Sequence, residues 1–308
     1  MQQSFRKKRP FFSGLLLIFT VLFWASLLNA NNMVDPPRES LRTIRFDPVE
    51  LEAPSGWALH GAWTLSSDDP RLTGLSGMEV IGGELLMVSD SGRLVRTSLP
   101  VPGPDRREAR FAVLRDGEGG SLGGHDSESL HPWQNGLLVG FERRHRAMLF
   151  DARTLAAARE ITLDGASWSY NGGAEALVAS GDAILALGES AKMAYRIGKG
   201  APVAIPIVGA PSRITGATRL ADGRLAVVMR TLDWGGFGTQ VAIAHDEGER
   251  VRIGTPVRLP VSRLANMEAL AATPIAGGSR LWLLSDDNRA PYLRQWLVAY
   301  DVKAEAWP

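Results

Sequence analysis

The chain has 308 residues, enough for one large or two ordinary domains, with 45% hydrophobic and 22% charged residues. Four basic residues, Arg6, Lys7, Lys8 and Arg9, stand in a leader without acids; outside it 30 basic face 33 acidic residues. That balance excludes a basic nucleic-acid-binding body, and the lack of any cysteine excludes disulfides, thiol catalysis, thiolate zinc sites and a cysteine-linked lipid anchor.

Residues 1–32 read as a cleaved export signal or an uncleaved N-terminal anchor. The basic cluster precedes the uncharged run Phe11 to Leu28, broken only by Ser13, Thr20 and Ser26. About 18 residues is the lower limit for a spanning helix, and Leu28-Asn29-Ala30 is a poor cleavage site. Either way the body is expected outside the cytoplasm, periplasmic, and tethered to the inner membrane if the segment stays. Residues 33–55 read as a Pro-rich linker (Pro36, Pro37, Pro48, Pro54) with one short strand near Thr43–Phe46. Trp57–Leu65 is then an aromatic and aliphatic strand.

From there to residue 308 one phrase recurs: an acid in a short apolar run, a turn, a second apolar run ending in acids, then two more strands. Its copies are Gly74–Glu79 with Glu84–Asp90, Asp126–Leu130 with Gly136–Glu142, and Asn171–Leu177 with Ala183–Glu189. Ile214–Leu220 with Arg224–Arg230, and Asn266–Ala271 with Ser279–Asn288, complete the series. Aligned on the acid, the equivalent positions are Glu79, Glu128, Glu175, Thr218 and Glu268, at steps of 49, 47, 43 and 50 residues. A period of roughly 40–50 residues with four strands each predicts an all-β β-propeller. Five four-stranded blades are counted over residues 56–308; a sixth is reached only if Thr43–Leu65 and an overlooked stretch form one. The last unit shows three strands, so Trp57–Leu65 is expected to close the ring as its fourth. The alternative is a β-sandwich with chance internal similarity.

In a propeller the first strand of each blade lies nearest the axis, which gathers these acids at one mouth. Second-strand ends add Asp90, Glu142, Glu189, Asp286 and Asp287, with Arg230 in the fourth unit. Converging carboxylates are solvated, take up protons, or bind a hard cation such as Ca²⁺; or each Glu simply bonds within its blade. Glu79, Glu128, Glu268, Asp90, Asp286 and Asp287 are the candidate metal ligands, and Glu175, His125 and Asp126 the candidate acid/base groups. Arg230 and Arg289 are candidates for holding an anion, because the guanidinium fork donates two hydrogen bonds at once. Arg219 and the run Arg143-Arg144-His145-Arg146 are weaker ones, as are Trp168, Tyr170, Trp234 and Phe237 as an aromatic face. No nucleophile elbow, phosphate-binding loop or dinucleotide-binding glycine pattern is present.

Three phrases, Gly74–Glu79 with Val88–Asp90, Gly173–Leu177 with Glu189-Ser190, and Asn266–Leu270 with Leu284–Asn288, resemble the phytase-like propeller family, labelled "esterase-like activity of phytase". The resemblance spans about residues 71–290. It implies a propeller and, by analogy with propeller phytases, a calcium-dependent hydrolase of phosphate esters in which acidic residues hold calcium ions that position phosphate and water. The expected function is an exported ester hydrolase acting on a small anionic or ester substrate; the alternative is a non-catalytic propeller that binds a ligand or protein partner.

Overall fold

The computed structural model describes residues 39–308 apart from 143–144, 164–167 and 169–172. The leader 1–32, Arg143, Arg144 and Tyr170 therefore lie outside the described residues. Among the described residues no helix is long and apolar enough to cross a membrane.

Strands β1 (Glu39–Pro48) and β2 (Trp57–Ser67) precede five strand sets. The first blade is β3 (Leu75–Ile81), β4 (Glu84–Ser89), β5 (Arg93–Ser98) and β6 (Asp105–Val113). The second is β7 (Ser127–Trp133), β8 (Gly136–Phe141), β9 (Arg146–Asp151) and β10 (Ala157–Thr162). The third is β11 (Ala174–Ser180), β12 (Ala183–Gly188), β13 (Met193–Ile197) and β14 (Val203–Val208). The fourth is β15 (Arg213–Arg219), β16 (Leu225–Asp233) and β17 (Gly236–Asp246), with an outer strand split into β18 (Val251–Ile253) and β19 (Val257–Leu259). The fifth is β20 (Asn266–Ile275), β21 (Gly278–Asp286) and β22 (Gln295–Lys303). The first strands of these sets touch in cyclic order, β3–β7–β11–β15–β20 and back to β3, which makes the fold a β-propeller.

Packing explains why the second strand of each set is apolar on both sides. Alternate residues of a strand face opposite ways, and here each face meets a different blade. Leu85 and Met87 of β4 pack with Trp282 and Leu284 of the fifth blade, while Leu86 and Val88 pack with Leu130 and Val139 of the second. In β21, Leu281 and Leu283 turn instead toward Val228 and Val241 of the fourth.

The ring closes as the aromatic strand near the N-terminus requires. β2 runs antiparallel to β22, from Trp57 against Val302 to Leu65 against Gln295. Trp63 from this strand stacks on Trp282 with ring centres 6.4 Å apart and donates from Nε1 to Gly103 O at 2.9 Å. The stretch read as a linker contributes more than the short strand expected. β1 pairs with β2 on one side and β6 on the other, joining the outer edges of the fifth and first blades. Ile44 and Phe46 bury completely in that seam.

Candidate functional site

Every inner strand slips register against its second strand at one point: between Leu75 and Gly77, Ser127 and Ser129, Ala174 and Ala176, Ile214 and Gly216, and Met267 and Ala269. The extra residue of such a bulge leaves the ladder and is re-aimed. Those residues are Ser76, Glu128, Glu175, Thr215 and Glu268. A narrow axial cavity is lined by Ser76, Glu128, Glu175 and Glu268. The residue after each bulge is small because the inner strands crowd there: a Cβ on Gly216 would lie 2.9 Å from Glu268 O and Leu270 N. Ser76 Oγ donates to Ser127 O at 2.6 Å and Thr215 Oγ1 to Met267 O at 3.0 Å, each fastening the next blade's bulge.

This register corrects the alignment made on the acids. Glu79 and Thr218 each stand three residues beyond the bulge, about 10 Å down the strand, so neither joins the ring. The buried Glu79 carboxylate instead accepts from His131 Nδ1 at 2.7 Å, and His131 Nε2 accepts from Ala179 N at 3.1 Å. With Nε2 accepting, the His131 proton sits on Nδ1, and the pair pins three successive blades. Arg219 belongs to the same end: it donates to Gly223 O at 2.6 Å and to Ala179 O.

Asp90, Glu142 and Glu189 directly follow β4, β8 and β12, Asp286 ends β21, and Arg230 lies within β16, three residues before its end. Arg230 is the built-in counter-charge. Its Nη1 donates to Glu268 Oε1 at 2.5 Å and Asn266 Oδ1 at 2.6 Å, and its Nη2 to Glu189 Oε1 at 2.9 Å. Asn266 Nδ2 adds a bond to Glu268 at 2.6 Å, and Arg213 one to Glu189 at 2.7 Å. Three of its five N–H donors are engaged in this way, so Arg230 is a brace across three blades.

Arg289 is differently placed. It donates from Nη2 to Asp90 Oδ1 at 2.5 Å and is half-exposed. Asp90 lies over Gly74, where φ is +64° and a Cβ would meet the Asp90 carboxylate at 2.5 Å, so there is no room for one. Asp287 accepts from Thr73 Oγ1 at 2.8 Å and Gly74 N at 2.9 Å, so it ties the fifth blade to the first.

In the second blade Asp126, Glu128 and Glu142 bring carboxylate oxygens within 4.8 Å of one another. Asp126 adopts φ 57° to do so, and Glu142 N donates to its carbonyl at 2.9 Å. His125 turns its Nδ1 to Arg146 Nη2 at 2.6 Å, and Arg146 also pairs with Glu160 at 2.6 Å. Trp168 is a packing residue, edge-on to Tyr195 at 4.8 Å and seated over Gly188. Phe237 is half-buried and Trp234 exposed.

Burial and mutual repulsion govern the charge state. Glu128 is held well above the usual carboxylate range by burial, then by Glu175, Glu268, Asp126 and Glu142. Glu175 is raised likewise by burial, Glu142, Glu189 and Glu268, and Asp286 by burial, Glu268, Asp90 and Asp287. Burial raises Glu268 too, against the opposing pull of Arg230 and Asn266. Asp90 is pushed up to about 6 by burial despite Arg289. Raised pKa values of this kind favour proton uptake or a bound cation. An oxygen-only trio without His or Cys matches a hard cation such as Ca²⁺, so the residues fit the metal that the family resemblance implies.

Ser76 and Thr215 were missed because the alignment followed the acids. The small residue after each bulge, Gly77, Ser129, Ala176, Gly216 or Ala269, was the signal that would have set the register.

Among curated proteins none matches the chain. Glutaminyl cyclase of Myxococcus xanthus is similar in structure at 14% identity and TM-score 0.46, over 75% of this chain and 91% of that one. Virginiamycin B lyase of Staphylococcus aureus is similar at 13% identity and TM-score 0.41, over 80% and 81%. A family profile matches residues 70–289, nearly the whole propeller. The chain belongs to the phytase-like family, described as esterase-like activity of phytase.

Proposed function

We propose that the protein is an exported hydrolase of phosphate or other esters, working with calcium at the acidic mouth of the propeller. One observation carries the reading: the bulges aim Glu128, Glu175 and Glu268 at the axis, beside Asp286 and Asp90, where burial and the neighbouring charges raise the pKa values of these carboxyls. Membership of the family supports a hydrolytic activity, and the sequence of residues 1–32 supports export.

Asp126, Glu128 and Glu142 would hold the cation, with Glu268 near enough to act on Glu128, and Asp126 near enough to act on Asp90. Calcium there would polarise the ester and orient a water. Glu175, with Gly173 N donating to its Oε1 at 3.1 Å and its pKa raised by burial and the neighbouring carboxylates, is the acid/base group. It takes the proton of water as the water oxygen bonds to phosphorus or to the acyl carbon. It returns that proton to the leaving oxygen as the ester bond breaks. Arg289 presents guanidinium N–H groups beyond its bond to Asp90 to the substrate anion. Arg230 and Asn266 hold Glu268 in place.

The test is turnover of p-nitrophenyl phosphate and p-nitrophenyl acetate with calcium or EDTA, by the wild type and Glu175→Gln. Calcium-dependent turnover that falls at least about 100-fold in the variant supports the reading. Absence of turnover, with calcium still bound, would favour a ligand-binding propeller instead.

A further inference from the structure

The mouth has an apolar rim as well as an acidic floor, and the rim is built on the fourth and fifth blades. β16 does not stop at Arg230. It continues through Thr231, Leu232 and Asp233, paired with Gly238, Phe237 and Gly236, so Trp234-Gly235 forms a two-residue turn. Three more residues carry the hairpin about 10 Å past the level of Arg230.

This projection is braced. Phe237 N donates to Arg263 O at 2.9 Å, Arg263 Nε to Gly235 O at 2.9 Å, and Arg263 pairs with Asp233. Gly236 has φ +108°, and a Cβ there would lie 2.3 Å from Arg263 O, so the contact requires glycine. Arg263 belongs to the connection leading into β20, hence to Asn266 and Glu268.

The braced hairpin holds Trp234 at 92% exposure and Leu232 at 71%. Leu264, beside Arg263, is 57% exposed, and Tyr292, in the loop that carries Asp287 and Arg289, is 58% exposed. An indole offers about 150–250 Å² for burial, which a surface turn forgoes when it holds the ring in water. Exposed apolar side chains held beside a charged site by a braced hairpin suit contact with a ligand.

We propose that this rim binds an apolar, aryl-sized portion of the substrate, with Trp234 as the specificity-determining residue. The inference rests on the ester-site reading above and names its substrate class: an amphiphilic ester, with a single anionic or ester end on the carboxylate floor and an apolar body about 10 Å long reaching the rim.

The experiment is calorimetric binding, in calcium, of two non-hydrolysable ligands, 4-biphenylphosphonate and methylphosphonate, to the wild type, Trp234→Ala and Leu232→Ser. Both positions are exposed, so the fold tolerates the changes. The expected result is that the wild type prefers the biphenyl ligand, that Trp234→Ala weakens it about 10-fold, and that methylphosphonate is unaffected. Equal affinities in wild type and variants for the biphenyl ligand overturn the rim assignment while leaving the ester site standing. Binding of neither ligand by the wild type overturns the ester-site reading and this inference with it. If sedimentation shows that the wild type self-associates and Trp234→Ala does not, with ligand binding unchanged, the rim is an interface between two copies and the proposal fails.

Discussion

Asp90→Asn should stabilise the calcium-free protein at neutral pH and leave it unchanged in acid. Asp90 sits over Gly74 with its side chain 23% exposed, and its pKa is pushed from 3.8 up to about 6. Burial raises it, and Arg289 only partly offsets that. A carboxyl with a raised folded pKa binds its proton more tightly in the native state. Its contribution is therefore full below the unfolded value near 3.8 and is lost as pH rises through about 6. Two units at about 1.4 kcal/mol each give about 3 kcal/mol of lost stability by pH 7.5. Asparagine keeps an oxygen for Arg289 but cannot ionise, so the variant gains about 3 kcal/mol at pH 7.5 and close to nothing at pH 4. Urea denaturation in EDTA at the two pH values measures both numbers. An equal gain at both, or none at pH 7.5, would refute the claim that buried carboxylate repulsion destabilises the empty mouth.

Three further outcomes are expected. Arg230→Gln strips Glu268, Glu189 and Asn266 of their shared donor and should lower stability by about 3 kcal/mol in EDTA. Millimolar calcium should restore part of it, and a loss insensitive to calcium in a thermal melt would contradict the charge argument. His131→Ala breaks the bridge from Glu79 to Ala179 and should cost about 2 kcal/mol in chemical denaturation, with KM and kcat for p-nitrophenyl phosphate unchanged. A selective fall in kcat would return Glu79 to the chemistry. Gly74→Ala places a Cβ at φ +64° against the Asp90 carboxylate and should destabilise by about 2 kcal/mol, measured by urea titration at pH 7.5. No loss there would mean that the Asp90 notch readily relaxes.

Much of the architecture was legible because it is written in periodicity. Runs such as Leu281–Leu284, apolar on both faces, follow from blades being covered on both sides, and Trp57–Leu65 was recognisable as the missing strand of the last unit. The pairing of β1 with both β2 and β6 was not legible. Its alternation is that of any exposed strand, and which edges it joins depends on contacts far apart in the chain. The same distinction runs through the site. Asp90, Glu142, Glu189 and Asp286 fell into register because they stand at or just past the ends of second strands. The inner ring did not, because a bulge shifts the face of every residue around it. Glu79 and Thr218 were therefore read into places that Ser76 and Thr215 occupy. The charge of Arg230 suggested an anion docking group; its brace to Glu268, Glu189 and Asn266 was not legible, because those partners come from two other blades.

Calcium binding at neutral pH is the most direct measure of whether the converging carboxylates form a cation site. Calorimetric titration in two buffers of different ionisation enthalpy reports affinity and the protons displaced together. With the pKa values of Glu128, Glu175 and Asp286 raised by burial and mutual repulsion, the wild type should bind calcium with proton release. Glu128→Gln should bind it about 10-fold or more weakly and release fewer protons. Calcium binding that releases no protons and is untouched by Glu128→Gln, or a wild type that binds no calcium, would contradict the account.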